Sequence, residues 1–124
     1  ALIAGGQPHW VGVEAERIMG FASHFEFRPG PGYVHTREHT IILTPEGQGQ
    51  GLGRALMAAL EADAAERGVH SLLAGVAGEN LAGVAFHAAL GFRKIARLPE
   101  VGWKHGRWHD LVLMQKMLRA TDPA

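Results

Sequence analysis

Apolar and polar positions along the chain fall into short blocks whose period changes from two to three or four and back. His9 to Val13 (His-Trp-Val-Gly-Val) reads as a short strand. Glu14 to Arg17 is a polar turn, and Arg17 to Phe27, rich in Ile, Met and Phe, returns as the second arm of a hairpin. Arg28-Pro-Gly-Pro-Gly32 ends that ladder, because proline cannot donate to it and glycine weakens it. His39 to Thr44 is β-branched and stopped by Pro45, which predicts a third strand. The period then becomes helical: Leu52, Leu56, Ala59, Leu60 and Ala64 share a face, and Gly68 behind Arg67 marks the stop. Ser71 to Ala77 is apolar enough for a buried strand, and Asn80 can cap a helix running to about Leu90 and closed by Gly91. Phe92 to Val101 and His109 to Leu118 read as two further strands around a turn over Trp103–Trp108. Ahead of all this, Ala-Leu-Ile-Ala-Gly-Gly reads like the tail of a helix with a glycine stop. From His9 onward the order is β-β-β-α-β-α-β-β. Hairpins mixed with helical crossovers predict an α+β fold, distinct from a Rossmann repeat or an all-β barrel.

Composition narrows the function classes. The 124 residues make one domain, 1–124, with 47% hydrophobic and 19% charged positions, as in an ordinary globular protein. Twelve Lys and Arg balance twelve Asp and Glu, so the basic excess of a nucleic-acid or anionic-membrane binder is missing. No apolar run approaches the roughly 18 residues of a spanning helix. With no cysteine there is no disulfide, no thiolate metal site and no cysteine nucleophile, a composition compatible with a cytoplasmic protein.

The seventeen glycines matter most where they cluster, in Glu46-Gly-Gln-Gly-Gln-Gly-Leu-Gly53, between a predicted strand and a predicted helix. Backbone N–H groups converge there with the helix dipole, and such a turn suits phosphate. A Walker loop needs a Gly-Lys pair, which the chain lacks. The dinucleotide fingerprint fails from Gly47 and from Gly49, with Leu52 or Arg54 at its last glycine position. What fits is Gln48-Gly-Gln-Gly51-Leu-Gly53, a Gln-x-x-Gly-x-Gly loop opening a helix.

That loop, behind a strand ending at Pro45, resembles the pyrophosphate loop of the GNAT N-acetyltransferases. Asn80 followed by Phe86-His-Ala-Ala-Leu-Gly-Phe92 is similar to the family's second cofactor segment. Phe27-Arg-Pro29, His35-Thr-Arg-Glu-His39 and Val101-Gly-Trp-Lys-His-Gly-Arg-Trp-His-Asp110 resemble the phosphinothricin and methionine sulfoximine acetyltransferases within it. The resemblance implies a GNAT fold with a mixed, mostly antiparallel sheet flanked by helices, and a strand and two helices preceding Ala1. It implies acetyl-coenzyme A as cosubstrate, a small amine as acceptor, no metal, and a homodimer. Gln48, Gly49, Gln50, Gly51, Leu52, Gly53, Arg54 and Asn80 would hold the cofactor, with the backbone of Ile41, Ile42 and Leu43 pairing with pantetheine. Phe27, Arg28, Pro29, Glu38, His39 and Thr40 would line the acceptor site.

Two side chains carry the expected chemistry. Glu38 is the carboxylate placed to take a proton from the attacking amine. His87, four residues before Gly91, stands where many relatives carry a tyrosine that protonates the leaving thiolate, and imidazole can do this near neutral pH. His35-x-x-Glu38-His39 also matches an inverted zinc-protease motif, but that motif needs a helix. On a strand the two histidines would lie roughly 13 Å apart. Arg28, Lys104 and Arg107 are candidate partners for an anionic acceptor. Trp10, Trp103 and Trp108 are expected in core or interface packing. Arg37 replaces a small apolar residue of the relatives beside the proposed base, and Ala82-Gly83 replaces Ala-Ser after Asn80. The expected activity is acetyl transfer to the amino group of an amino-acid-like acceptor by direct attack in a ternary complex. Alternatives are a GNAT enzyme for a polyamine, aminoglycoside or protein N-terminus, or a non-catalytic acyl-coenzyme A-binding module.

Overall fold

The computed structural model describes residues 2–5 and 8–118. Strands β1 (Leu2–Ala4), β2 (His9–Glu14), β3 (Arg17–Glu26) and β4 (Thr36–Leu43) are followed by helix α1 (Leu52–Glu66). Strand β5 (Ser71–Ala77), helix α2 (Leu81–Ala89), and strands β6 (Arg93–Lys104) and β7 (Arg107–Met117) complete the chain. All seven strands form one sheet in the order β1-β2-β3-β4-β5-β7-β6. Every neighbouring pair is antiparallel except β4–β5, which the α1 crossover makes parallel. No helix among the described residues is long and apolar enough to cross a membrane.

Both helices lie on one face of the sheet. Leu56, Met57 and Leu60 of α1 join Trp10, Ala22, Leu72, Ala74, Val76, Phe92, Val112 and Met114 in a single core, with Val84 and Phe86 of α2 packed against it. At 25–30 cal/mol per Å² of apolar area, each fully buried Leu or Met contributes roughly 2 kcal/mol toward folding. Side chains alternate along a strand, so Leu72, Ala74 and Val76 of β5 face the helices while Leu73, Gly75 and Ala77 face the other way.

Several boundaries move from the sequence expectation, each for a non-local reason. Leu2–Ala4 is a strand, not a helix tail, because it pairs with β2 from Leu2↔Gly12 to Ala4↔Trp10. Strand β4 begins at Thr36, three residues before the β-branched run. Polar Arg37 and Glu38 are held in the ladder by Glu26 and Phe25 on one side and by Leu72 and Leu73 on the other. Strands β6 and β7 extend to Lys104 and Arg107, so the turn shrinks to His105-Gly106 and Trp103 faces Trp108 as a cross-strand pair. Those two rings meet edge to face at 4.9 Å and stay 62% and 54% exposed, whereas Trp10 is in the core. Core packing therefore describes one tryptophan of the three.

Candidate active site

The parallel pair makes the site. β4 and β5 are in register from Thr36↔Ser71 to His39↔Ala74, and the pairing stops there. Strand β4 runs on to Leu43 on its β3 side and β5 to Ala77 on its β7 side. The facing edges of residues 40–43 and 75–77 are left without each other. Such an edge presents free N–H and C=O groups to an extended ligand. A cleft of about 360 Å³ opens at this fork, lined by His39, Thr40, Ile41, Leu43, Gln48, Ala74–Ala77, Asn80, Gly83, Phe86 and His87 among others.

Of the glycine loop, Gln48 lines this cleft, while Gln50, Gly51 and Leu52 line a separate hollow beside β2. Thr44 anchors the loop's start: the hydroxyl donates to the Met19 carbonyl at 3.0 Å and accepts from Gly47 N–H at 3.1 Å. Gln50 braces the loop by donating to the Glu46 carbonyl. Gly51 is the N-cap of α1 at φ 76°, a left-handed conformation that costs other residues about 1–2 kcal/mol. It brings no side chain to the first-turn N–H groups, and no acidic residue stands among them. Arg54 in that turn adds positive charge where the dipole is already positive, an arrangement that an anion relieves. Gly53 has a different task. A Cβ there would come within 3.0 Å of the Phe86 ring, so this glycine lets α1 and α2 meet beneath the loop. By contrast α2 is capped internally: Asn80 Oδ1 accepts from Gly83 N–H at 2.9 Å.

At the vertex, Glu38 and His39 point to opposite faces. The Glu38 carboxylate reaches Gly75, where a Cβ would lie 3.4 Å from Oε2. Burial alone raises its pKa above the usual carboxylate value. On the helix face His39 and His87 are 3% and 5% exposed, with Nε2 atoms 3.0 Å apart. His87 Nδ1 donates to the Gly83 carbonyl at 2.8 Å. Burial lowers both imidazoles, His39 to about 3, with His87 and His24 adding to the effect on His39. Both rings are therefore neutral near pH 7.

The other expected residues divide. Ile41, Leu43, Gln48, Thr40 and Asn80 line the cleft, while the Ile42 side chain is exposed on the far face. Phe27, Arg28 and Pro29 lie beyond the end of β3 and outside the cleft lining, with Arg28 over the Tyr33 ring at 4.9 Å. His39, expected toward the acceptor, is on the helix side. Arg37 points away from Glu38: its Nε donates to His24 Nδ1 at 3.1 Å, and His24 Nε2 in turn donates to Asp63 Oδ2 at 2.8 Å. It therefore braces β4 to β3 and, through His24, to α1, and makes no contact with the Glu38 carboxylate. His35 Nδ1 donates to the Gly68 carbonyl, and no group of three or more potential metal ligands occurs among the described residues. Sequence reasoning missed the β5 wall at Gly75–Ala77, while Phe86 entered only as part of the second cofactor segment. The isolated Gly75 within an apolar strand was the available signal.

Residues 2–92 match the profile of the acetyltransferase (GNAT) family. The chain belongs to the GNAT acetyltransferase family. It is 40% identical over 119 residues to the L-amino acid N-acyltransferase MnaT of Escherichia coli, covering 95% of this chain and 69% of that protein. It is also 40% identical over 113 residues to the L-methionine sulfoximine/L-methionine sulfone acetyltransferase of Salmonella typhimurium, covering 91% and 66%. A Salmonella typhimurium structure described as an acetyltransferase with its cofactor acetyl-CoA superposes with a TM-score of 0.88 at 38% identity, covering 96% of this chain and 69% of that one. The chain thus spans about two thirds of these relatives. As a GNAT enzyme it uses acetyl-coenzyme A. The residues present fit that cosubstrate: an uncapped helix N-terminus for phosphate and an unpaired strand edge for an amide-bearing arm.

Proposed function

We propose that this GNAT enzyme acetylates the amino group of a small amino-acid-like acceptor of the methionine sulfoximine, methionine sulfone or phosphinothricin type. The carrying observation is the Glu38 carboxylate at the fork's vertex, raised in pKa by burial alone and free of the histidines on the other face. A carboxylate that holds protons more tightly than usual is the better base for an ammonium group that must lose one. Acetyl-coenzyme A supplies the activated acyl thioester. The β4 edge would bind its arm, and the Ile41 N–H is the donor we assign to the developing oxyanion. The chain has no cysteine or other obvious nucleophile placed to carry the acyl group, and the mechanism we propose is direct attack in a ternary complex.

A second hollow of about 680 Å³ supports the amino-acid reading. It shares Ala77 and Asn80 with the cleft and is lined by Trp103, Lys104, Arg107 and Leu111. Arg107 is held by Glu79 at 2.5 Å, which leaves Lys104 as our candidate for an acceptor carboxylate. The expected assembly is a homodimer in the cytoplasm, where acetyl-coenzyme A is made, and light scattering on the purified protein checks the stoichiometry.

The decisive assay is coenzyme A release with methionine sulfoximine, methionine sulfone, phosphinothricin and a panel of unrelated amines. Turnover on the first three, abolished by Glu38→Gln with acetyl-coenzyme A binding retained, bears out the proposal. Preference for a polyamine, an aminoglycoside or a peptide N-terminus overturns the acceptor class. Binding of acetyl-coenzyme A without turnover on any amine makes the chain a binding module instead.

A further inference from the structure

The two buried histidines form a unit that the single role expected of His87 does not explain. A carbonyl oxygen only accepts, so the 2.8 Å contact with Gly83 O places a proton on His87 Nδ1. A neutral His87 then has a bare Nε2, and the 3.0 Å partner on that side must be the donor: His39 carries its proton on Nε2. This accounts for three of the four ring nitrogens. The fourth, His39 Nδ1, is buried with no hydrogen-bond partner among the described residues. A buried lone pair left so is costly and rare.

We infer that His39 and His87 are one proton-holding unit, in which His39 acts as the positioning residue that fixes the tautomer of His87. In the neutral pair His87 has no Nε2 proton to give, so it is not an acid by itself. One added proton changes the pattern. It enters at His39 Nδ1, the shared proton moves from His39 Nε2 to His87 Nε2, and His87 becomes the cation that donates to a neutral His39. The balance is one proton gained and one charge gained. The neighbouring Leu73 backbone favours the protonated form of His39. Burial opposes that charge, as does His24 from β3, whose ring is bonded to Arg37 of β4 and Asp63 of α1. Glu38 faces away across β4 and supplies no compensating charge. The pair therefore holds one extra proton at most, at a point lining the cleft. The inference concerns the cleft proposed for acetyl transfer but rests on the pair's geometry, whatever the amine.

The test is spectroscopic. In the 124-residue chain labelled with ¹⁵N, long-range ¹H–¹⁵N correlations report which ring nitrogen is protonated. At pH 7.5 His87 should show an Nδ1 proton and a bare Nε2, and His39 the reverse. On acidification the two rings should respond together, with uptake of a single proton below the ordinary imidazole range. His39→Gln, which can place an N–H near the same position, should preserve the His87 pattern. His39→Phe keeps a ring against Phe92 but lacks the donor, and should release His87 to a mixture of tautomers. If activity is measurable, kcat should fall about two- to twelvefold in the Phe variant, the worth of one hydrogen bond, with recovery in the Gln variant. A His87 protonated on Nε2 at pH 7.5, or two rings titrating independently, overturns the inference. So does a His87 spectrum indifferent to His39→Phe in a folded variant. None of these readings depends on the acceptor, so failure of the amino-acid proposal and failure of this one remain distinguishable.

Discussion

Asn80 is asked to do two things, and two substitutions pull them apart. Its Oδ1 accepts from Gly83 N–H at 2.9 Å as the N-cap of a nine-residue helix, and it also lines the cleft. Asn80→Ala removes both the acceptor and the amide donor; Asn80→Asp keeps an acceptor, adds a charge the helix dipole favours, and removes only the donor. Losing an N-cap costs about 1 kcal/mol. Unfolding a chain of this length carries an entropy of roughly 0.26 kcal/mol/K, at about 2.1 cal/mol/K per residue, so the Ala variant should melt about 4 °C lower. The Asp variant should melt within about 1 °C of the parent or above it, by the same conversion. Affinity for coenzyme A, measured by calorimetry, should then fall in both variants by about two- to twelvefold if the amide reaches the bound arm. Unchanged affinity in Asn80→Asp refutes the ligand role and leaves only the cap. An unchanged melting temperature in Asn80→Ala refutes the cap and, with it, the account of why α2 starts where it does.

The remaining expectations are shorter. Glu38→Gln should lower kcat about 10²- to 10⁴-fold with coenzyme A binding unchanged. In the parent, activity should rise with pH as Glu38 loses its proton, at a pH above the ordinary carboxylate range because burial raises that pKa; a midpoint at or below the ordinary value counts against Glu38 as base. The same raised pKa means the charged carboxylate destabilises the fold above its unfolded pKa, so Glu38→Gln should melt no lower than the parent near pH 7. Gly51→Ala should cost about 1–2 kcal/mol through its left-handed φ, with open space around the new Cβ, read as a lower denaturation midpoint. Leu60→Ala, at a fully buried site, should cost about 3–5 kcal/mol and leave a marginally stable chain.

Local chemistry made most of the fold legible, and partners supplied the rest. Helix α1 announces itself through Leu56, Leu60 and Ala64 and its flanking glycines, and α2 through Asn80 and Gly91. The start of β4 does not, because Arg37 and Glu38 look like loop residues until β3 and β5 hold them in register. Likewise Leu2–Ala4 is a strand only because β2 offers an edge, and Lys104-His105-Gly106-Arg107 looks like a longer turn than the two residues it uses. At the site, the glycine loop and Asn80 were readable from spacing. The contact between His39 and His87 spans 48 positions, and no periodicity could announce it. Arg37 shows the same limit from the other side. It stands next to Glu38 in the chain and looked able to disturb it, yet strand alternation turns it to the opposite face.

That alternation also explains how one short strand can host two kinds of proton chemistry. Glu38 and His39 are neighbours, and in a helix or a loop their side chains could meet as an ion pair, lowering one pKa and raising the other. On β4 the sheet stands between them. Glu38 therefore keeps the raised pKa of an unpaired, half-buried carboxylate, and His39 keeps the lowered pKa of a buried imidazole with no anion beside it. The Glu38 carboxylate, our proposed base, and a neutral imidazole pair thus flank the same fork from opposite faces, and a ligand lying along the unpaired edge of β4 would pass between them. The requirement is a strand paired from Arg37 to Leu43 on its β3 side but only from Thr36 to His39 on its β5 side. Closing the fork would bury the edge, and losing the β3 ladder would let the two side chains meet.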